Sequence, residues 1–345
     1  MTSSNPRKVS VVIPTWQRGD LLRQCLESLR QQTFSDFKTV LVSNGAGPWV
    51  DGLAEEFGCA LVRFSCNRGF AAAVNAGIAA SQSSYVAVLN DDVELDRNWL
   101  QFTTGLLDAR EEISFCCGKI YQAGGALLDN VGDAISLGGL AWRLGFGRKD
   151  TGQFDLSRHI LSVPGTAALF RRKAFEQVGG FDEDFVSYLE DVEWSLRAAR
   201  RGLRGCYLPQ AVCFHQGSAT LGKKSSLAFE LSTRNQLFLL VKHYPWQWWL
   251  RLGPRIAWAQ FLWALTAMRN ERLGAYLRGV ARFLPSLPKT LRKRHPWQPE
   301  ERQAVLALLR ESERELYLDV MSPDRIEHGR FWRLYFRPFL LIRGT

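Results

Sequence analysis

Apolar and polar positions follow two different periods along this chain. Val9–Ile13 is a β-branched apolar run closed by Pro14, the pattern of a strand buried on both faces. Leu21, Leu22, Cys25, Leu26 and Leu29 then recur at helical spacing, with Asp20 placed to cap the helix. Thr39–Val42 predicts a second strand, ending in the turn signal Ser43-Asn44-Gly45. Ala71–Ala80, rich in Ala with Gly and Asn, predicts a closely packed helix, and Tyr85–Leu89 another buried strand running into Asn90-Asp91-Asp92. Strands alternating with helices imply a parallel sheet with helices on both faces. Between 110 and 185 glycine is frequent, which predicts short strands and long loops; regular helix returns around Glu190–Arg200. From about residue 227 the pattern changes to long helices, with seven of the twelve tryptophans at or beyond Trp246.

At 345 residues the chain has room for one large α/β domain with an appendage, or for two domains, and the change of texture puts the boundary at 220–230. We divide it into 1–228 and 229–345. A hydrophobic share of 46% and a charged share of 23% exclude a disordered or fibrous chain. The net charge of +10 is unevenly spread: residues 231–345 hold 20 Lys and Arg against 9 Asp and Glu, and the first 230 hold 24 against 25. Basicity therefore belongs to the C-terminal region, where Arg alternates with Trp, Phe and Leu. That interleaving predicts helices at a membrane interface rather than a nucleic-acid surface, although a buried helical extension has the same composition. The seven cysteines form no CxxC pair, which fits reduced thiols in the cytoplasm. Met1–Ser10 has no apolar leader core, and Ile256–Met268 falls short of the roughly 20 residues a bilayer span needs, so no transmembrane segment is expected.

Asn90-Asp91-Asp92 follows a buried strand, placing carboxylates at the edge of the sheet where open α/β sheets bind ligands. Adjacent carboxylates repel unless a cation sits by them, and oxygen ligands of this kind suit Mg²⁺ or Mn²⁺ shared with substrate phosphates. Taken alone the triplet reads equally as a solvated helix cap. Glu190-Asp191 opens a helix whose buried face is Val192, Leu196 and Ala199, leaving Asp191, Trp194 and Ser195 on another face. Asp191 is either a helix-dipole partner or a general base. Trp194 is either a core residue or an aromatic platform for a ring. His215 ends an apolar run before Gln216-Gly217-Ser218, where a structural role is the ordinary one. Gly45-Ala46-Gly47 lacks a third glycine, and Pro48-Trp49 is expected to break the following helix, which excludes a Rossmann fingerprint. There is no P-loop lysine motif and no GxSxG elbow.

Together and in order, VSVVIPTWQR (Val9–Arg18), CNRGFAAAVNAGI (Cys66–Ile78), VLNDDVEL (Val88–Leu95), Arg171–Gly202 with its YLEDVEW core, FHQGSAT (Phe214–Thr220) and Arg234-Asn235 resemble the family 2 glycosyltransferases. The likeness is to the rhamnosyltransferase and galactofuranosyltransferase subgroup of bacterial polysaccharide assembly, and it spans roughly residues 8–245. It implies a GT-A nucleotide-diphospho-sugar transferase fold, α/β with a mostly parallel sheet flanked by helices, here with a C-terminal helical extension. It implies inverting transfer, with rhamnose as the guess, from a nucleotide-diphosphate sugar to a glycan or lipid-linked acceptor. By resemblance Pro14 and Thr15 line the base pocket, and Asn67 and Asn75 cradle the nucleotide. Asn90, Asp91 and Asp92 take the DXD-like position with Asp92 as metal ligand, and His215 completes the metal site. Asp191 is the base, and Glu190 and Trp194 hold the acceptor. The family's second strand usually ends in Asp-Asn-Gly-Ser; here Ser43 stands in place of the Asp, keeping a hydrogen bond but not a charge. Such an enzyme is expected in the cytoplasm, peripheral to the inner face of the cytoplasmic membrane. The competing readings are a nucleotidyltransferase and a non-catalytic sugar-nucleotide-binding or scaffold protein.

Overall fold

The computed structural model describes residues 7–217, 225–322 and 329–340. In chain order the elements are β1 (Val9–Thr15), α1 (Gly19–Arg30), β2 (Phe37–Asn44), α2 (Trp49–Glu56), β3 (Ala60–Phe64), α3 (Phe70–Ala79), β4 (Tyr85–Leu89), β5 (Val93–Leu95) and α4 (Trp99–Ala109). There follow β6 (Ile113–Gln122), β7 (Leu128–Asn130), β8 (Asp133–Ile135), β9 (Ala141–Arg143), β10 (Arg158–Ile160), β11 (Ala167–Arg171), α5 (Arg172–Val178), α6 (Glu190–Arg200) and β12 (Arg204–His215). The C-terminal helices are α7 (Ser226–His243), α8 (Trp246–Arg269), α9 (Leu273–Phe283), α10 (Leu287–Arg292), α11 (Pro299–Val320) and α12 (Gly329–Leu340).

One sheet runs β10-β12-β6-β11-β4-β1-β2-β3, with β5 on β12 and β7 on β6; β8 and β9 form a separate hairpin. The pairs β4–β1, β1–β2, β2–β3 and β6–β12 are parallel, whereas β11 runs antiparallel to both β4 and β6. Every residue of β1 and β4 is buried, as expected for central strands covered on both faces. One face packs Val12, Val42 and Val88 under α3; the other packs Val11, Ile13 and Leu41 under α1. Helix α3 lies tight on β1 because Gly77 has no side chain: a Cβ there would strike Val12 and Val42.

Two expectations need correction. Pro48-Trp49 does not break a helix, since Pro48 caps α2, where a missing N–H costs nothing. Asp20 lies inside the first turn of α1, after the cap residue Arg18. The pattern also missed α2 and β3, whose burial is only partial. In the region of frequent glycine, short strands do predominate, but β6 is ten residues long and almost wholly buried.

The C-terminal helices pack on this body. Ala259, Leu262, Leu316, Val320, Trp332, Tyr335 and Phe336 join the same apolar cluster as Val12 and Val88. Backbone amides of the Ile135–Gly138 segment donate to Ser312, Glu313 and Tyr335. Among the described residues no helix is long and apolar enough to cross a membrane.

Candidate functional site

The site is built where β4, β5, β7 and β12 end together. Antiparallel pairing of β5 with β12 sets His215 opposite Val93, and the Gln216 amide donates to the Asp92 carbonyl at 3.0 Å. That register brings the Asp92 carboxylate to the imidazole: Oδ1 lies 3.2 Å from His215 Nε2. On the other side, His215 Nδ1 is 2.9 Å from Asp129 Oδ2, and the second oxygen of Asp129 accepts from Arg143 at 2.7 Å. Burial works against a charge on His215, but the hydrogen bonds to Asp129 and Asp92 outweigh it and push its pKa up to about 9. Burial likewise opposes ionisation of Asp129, and His215 and Arg143 more than compensate, holding it below the usual carboxylate range.

Asp91 turns the other way and accepts from the Thr15 hydroxyl at 2.7 Å, tying the ends of β4 and β1 together. Burial raises it to about 6 despite the hydroxyl, with the charge of Asp92 adding to the rise. Pro14 is buried in β1, opposite Val42, and Ser43 is buried at the end of β2, opposite Thr15. Asn67 is exposed; its Oδ1 accepts from the Asn44 amide and from the Gly69 backbone, shaping the turn into α3. Asn90 is half-buried, with its backbone amide donating to the Thr166 carbonyl.

Asp191 lies in the first turn of α6. Its Oδ2 accepts from the Gly165 amide and its Oδ1 from its neighbour Val192, both at 2.7 Å. Burial raises its pKa, and these amides hold the rise down. Glu190 is raised further, by burial and then by the charge of Asp191, and its Oε2 has no hydrogen-bond partner. Asp133 is raised to about 8 by burial and by Asp191, against an Asn130 amide donated at 2.8 Å. Asp191 alone of the three holds two backbone donors on its carboxylate, which favour its ionised form, and its charge adds to the rise that burial gives the other two. Tyr188, also at this crevice, feels the charges of Glu190, Arg143 and Asp92. The Asp92–His215–Asp129 chain and the carboxylates of α6 are thus electrostatic neighbours, linked through Asp133, which feels both Asp191 and Asp129, and through Tyr188, which feels both Glu190 and Asp92.

The approach to α6 is strained. Val186, Tyr188 and Leu189 all have positive φ (65°, 70° and 67°), a conformation costly for side chains with a Cβ. Asn235, fully buried on α7, donates its amide to the carbonyls of Phe185, Ser187 and Tyr188, and Arg234 donates to those of Asp184 and Phe185. From the donor side, the Ala71 amide at the start of α3 holds the Val186 carbonyl. Gly69 is required there: at φ +90°, a Cβ would also strike the carbonyl of Val186.

Two residues do not take the places the resemblance implies. Trp194 is wholly buried, with its ring edge-on to Phe115 and Phe170 and its indole N–H donating to the Gly179 carbonyl, so it is no platform for an acceptor. Helix α6 is buried on the Trp194 and Ser195 side as well, because the aromatic cluster and the C-terminal helices enclose it. Asn75 exchanges both hydrogen bonds of its amide with the backbone of Phe181, so it fastens the segment leading to α6 rather than a nucleotide. Ser218–Thr220 of the His215 motif lie outside the described residues. Asp129, Asp133, Arg143 and Gly165 went unread, although the cluster Asp129-Asn130…Asp133 within a glycine-rich stretch was a visible signal.

A mostly parallel sheet with β11 set antiparallel within it and short antiparallel strands β5, β7 and β10 beside β6 and β12, and an acidic cluster at its carboxyl edge, define a GT-A nucleotide-sugar transferase fold. Residues 10–179 match the model of glycosyl transferase family 2. The chain is 32% identical over 225 residues to the O-antigen biosynthesis protein RfbC of Myxococcus xanthus, covering 62% of this chain and 18% of that one. It is 30% identical over 116 residues to the N-acetylglucosaminyl-diphospho-decaprenol L-rhamnosyltransferase of Mycobacterium tuberculosis, covering 32% of this chain and 37% of the relative. The chain thus spans less than half the length of these curated relatives. Among solved structures, the mannosyltransferase PcManGT from Pyrobaculum calidifontis, in complex with GDP-Man and Mn²⁺, superposes with a TM-score of 0.51 at 14% identity, covering 99% of this chain and 89% of that one.

Replacing Asn235 by Ala removes a donor from three carbonyls of a strained turn, of which that of Phe185 keeps Arg234 and the Ser187 amide while those of Ser187 and Tyr188 lose their side-chain donor. Unmade buried hydrogen bonds cost about 1–3 kcal/mol each, so we expect Asn235→Ala to lose at least about 2 kcal/mol of stability in urea unfolding. An unchanged midpoint would show that Arg234 and α3 hold the turn without it.

Proposed function

We propose that this protein is an inverting, metal-dependent glycosyltransferase that moves a sugar from a nucleotide-diphosphate donor to a hydroxyl of a glycan or lipid-linked acceptor. In this reading residues 1–228 are the catalytic body and 229–345 an extension lying against the membrane's cytoplasmic face. Rhamnose is the proposed sugar, supported by the named activity of the mycobacterial relative. The observation that carries the reading is the setting of Asp191: a carboxylate pinned by the Gly165 amide and coupled by charge, through Asp133 and Asp129, to the Asp92–His215 pair.

The residues present fit a divalent cation. Among the described residues no three His, Cys, Asp or Glu side chains converge as a closed cage. One carboxylate and one imidazole nevertheless suit Mg²⁺ or Mn²⁺, which take few protein ligands and complete their shell with water and substrate phosphate. Without a metal, His215 donates to both Asp129 and Asp92; on taking a cation its Nε2 would give up that proton, leaving the Nδ1–H on Asp129 to fix the ring, an arrangement common for metal-binding histidines. Asp92 and His215 would hold the cation, which when bound neutralises charge on the departing diphosphate.

Asp191 accepts the proton from the acceptor hydroxyl as that oxygen forms its bond to the anomeric carbon. The bond from that carbon to the diphosphate breaks with its electron pair leaving on the phosphate oxygen, so configuration inverts and no covalent enzyme intermediate forms. Protonated Glu190, with a free carboxyl oxygen, can hydrogen-bond the acceptor. Thr15, Ser43, Asn67, Asn90 and Asp91 are the proposed donor side of the pocket, with Pro14 beneath them. The proposed membrane contact draws support from the charge of the C-terminal region and from its exposed Trp246, Trp249 and Leu250.

Asp191→Asn should leave donor binding intact and lower turnover by at least about 10²-fold, read from steady-state kinetics beside a donor titration. Near wild-type turnover would remove Asp191 from the role of base. In calorimetry, Asp92→Ala should abolish the Mn²⁺ dependence of nucleotide-sugar binding. Asp129→Asn, which touches no ligand directly, should weaken Mn²⁺ by about 10–100-fold. Titrations of the wild type that are identical with and without Mn²⁺ would contradict a metal site here.

A further inference from the structure

Helices α8, α11 and α12 do not close completely on one another. Between them lies a cavity of about 470 Å³, within the range of small-molecule sites. Its interior is apolar, formed by Leu137, Leu252, Tyr317, Phe336 and Phe339. Its rim is cationic, with Arg251, Arg255, Arg310 and Arg314 against one acid, Glu313.

The charge on that rim is not balanced from within. Glu313 gives one oxygen to the Leu137 amide and the Tyr335 hydroxyl and the other to Arg255 at 3.0 Å. Arg255 is further held over the Phe339 ring at 4.1 Å. Arg251, Arg310 and Arg314 are exposed and, among the described residues, have no carboxylate partner. Three arginines thus line an apolar opening where, among the described residues, no carboxylate pairs with them.

The outer edge of the same opening is apolar too. Trp246, Leu250 and Pro254 repeat every four residues on α8, so they form one stripe leading into the cavity, with Trp249 beside it. Trp246 is 65% and Leu250 75% exposed. Scattered exposed apolar residues are ordinary, but here they adjoin a cation-rimmed cavity. Arginine forks match phosphate oxygens, and tryptophan prefers the headgroup layer of a bilayer.

We propose that this cavity is a binding site for an anionic phospholipid, with the phosphate held by Arg251, Arg310 and Arg314 and the first carbons of the chain against Leu252, Tyr317 and Phe339. The proposal rests on the membrane attachment inferred above and gives it a specific seat. The unpartnered arginines supply charge complementarity for a phosphodiester, and the apolar interior accounts for a chain attached to it. Trp246 and Leu250 would then enter the interface beside the bound lipid.

Flotation of the full-length protein with vesicles tests this. Wild type should bind phosphatidylcholine vesicles that contain phosphatidylglycerol and not those of phosphatidylcholine alone. An arginine at an anionic surface changes partitioning about five-fold, so the double variant Arg310→Gln/Arg314→Gln should bind about 30-fold more weakly. Its thermal unfolding should be unchanged, because neither side chain makes an internal contact that folding needs. The pair Arg269→Gln/Arg292→Gln, exposed and outside the cavity, should lose far less. Wild type that binds no anionic vesicle would overturn the attachment itself. Wild type that binds, with the two double variants losing equally or the rim variant losing nothing, would overturn the cavity as the site and leave the attachment standing. Preference for vesicles carrying a polyprenyl phosphate over those carrying phosphatidylglycerol would overturn the assigned occupant.

Discussion

Five carboxyl groups, those of Asp92, Asp129, Asp133, Glu190 and Asp191, crowd one edge of the sheet, and their mutual repulsion is the constraint that the rest of the site answers. Gathering five negative charges at one edge is costly, and the fold answers with a cation at Asp92 and Asp129, burial at Glu190 and Asp133, and backbone amides at Asp191. His215 lies between Asp92 and Asp129, and Arg143 takes the other oxygen of Asp129. Burial first, and then the charge of Asp191, push Glu190 and Asp133 towards their protonated forms, while the Gly165 and Val192 amides steady Asp191. In the proposed function this graded edge takes a cation at Asp92 and a proton at Asp191, as displacement of a diphosphate by an alcohol requires.

Keeping that edge in place demands support from far along the chain. The strained turn before α6 aims Glu190 and Asp191, and Arg234 and Asn235 on α7 hold it. Behind it, the buried Glu193 of α6 meets Lys242 and His243 of α7, so α6 and the first C-terminal helix are joined by an ion pair to Lys242 and a hydrogen bond to His243 as well as by packing. The C-terminal helices are therefore more than a tail: the first of them holds the active turn, and the later ones share the main core with Val12 and Val88. The same helices leave the arginine-rimmed cavity on their outer side.

Much of this was legible in the residues. Val9–Pro14 and Tyr85–Leu89 are buried central strands, as uninterrupted apolar runs imply, and the acidic triplet does follow a strand at the ligand edge. Asp92 and His215, more than a hundred residues apart, meet at 3.2 Å as the resemblance implied. What stayed hidden depends on tertiary contact. Nothing in the local pattern distinguishes Trp194 in an aromatic core from Trp194 beside a sugar, since helical spacing is blind to what covers a face. Asn75 carries the same side chain whether it grips a nucleotide or the Phe181 backbone. Asp129 acts through a strand of three residues in a glycine-rich stretch, too short for periodicity to register. The basic, aromatic C-terminal region was open to both a packed extension and a membrane face; Trp248 and Trp332 are buried while Trp246 is exposed, so one composition serves both surfaces.

The account turns on Asp92 and His215 accepting a cation between them while Asp129 orients the imidazole. Crystals of the full-length protein grown with Mn²⁺ and a nucleoside diphosphate, measured at the manganese absorption edge, test this most directly. The account predicts a single anomalous peak in contact with the Asp92 carboxylate, His215 Nε2 and the diphosphate oxygens, with His215 Nδ1 still on Asp129. A peak elsewhere, with the imidazole still bonded to both aspartates, would contradict it.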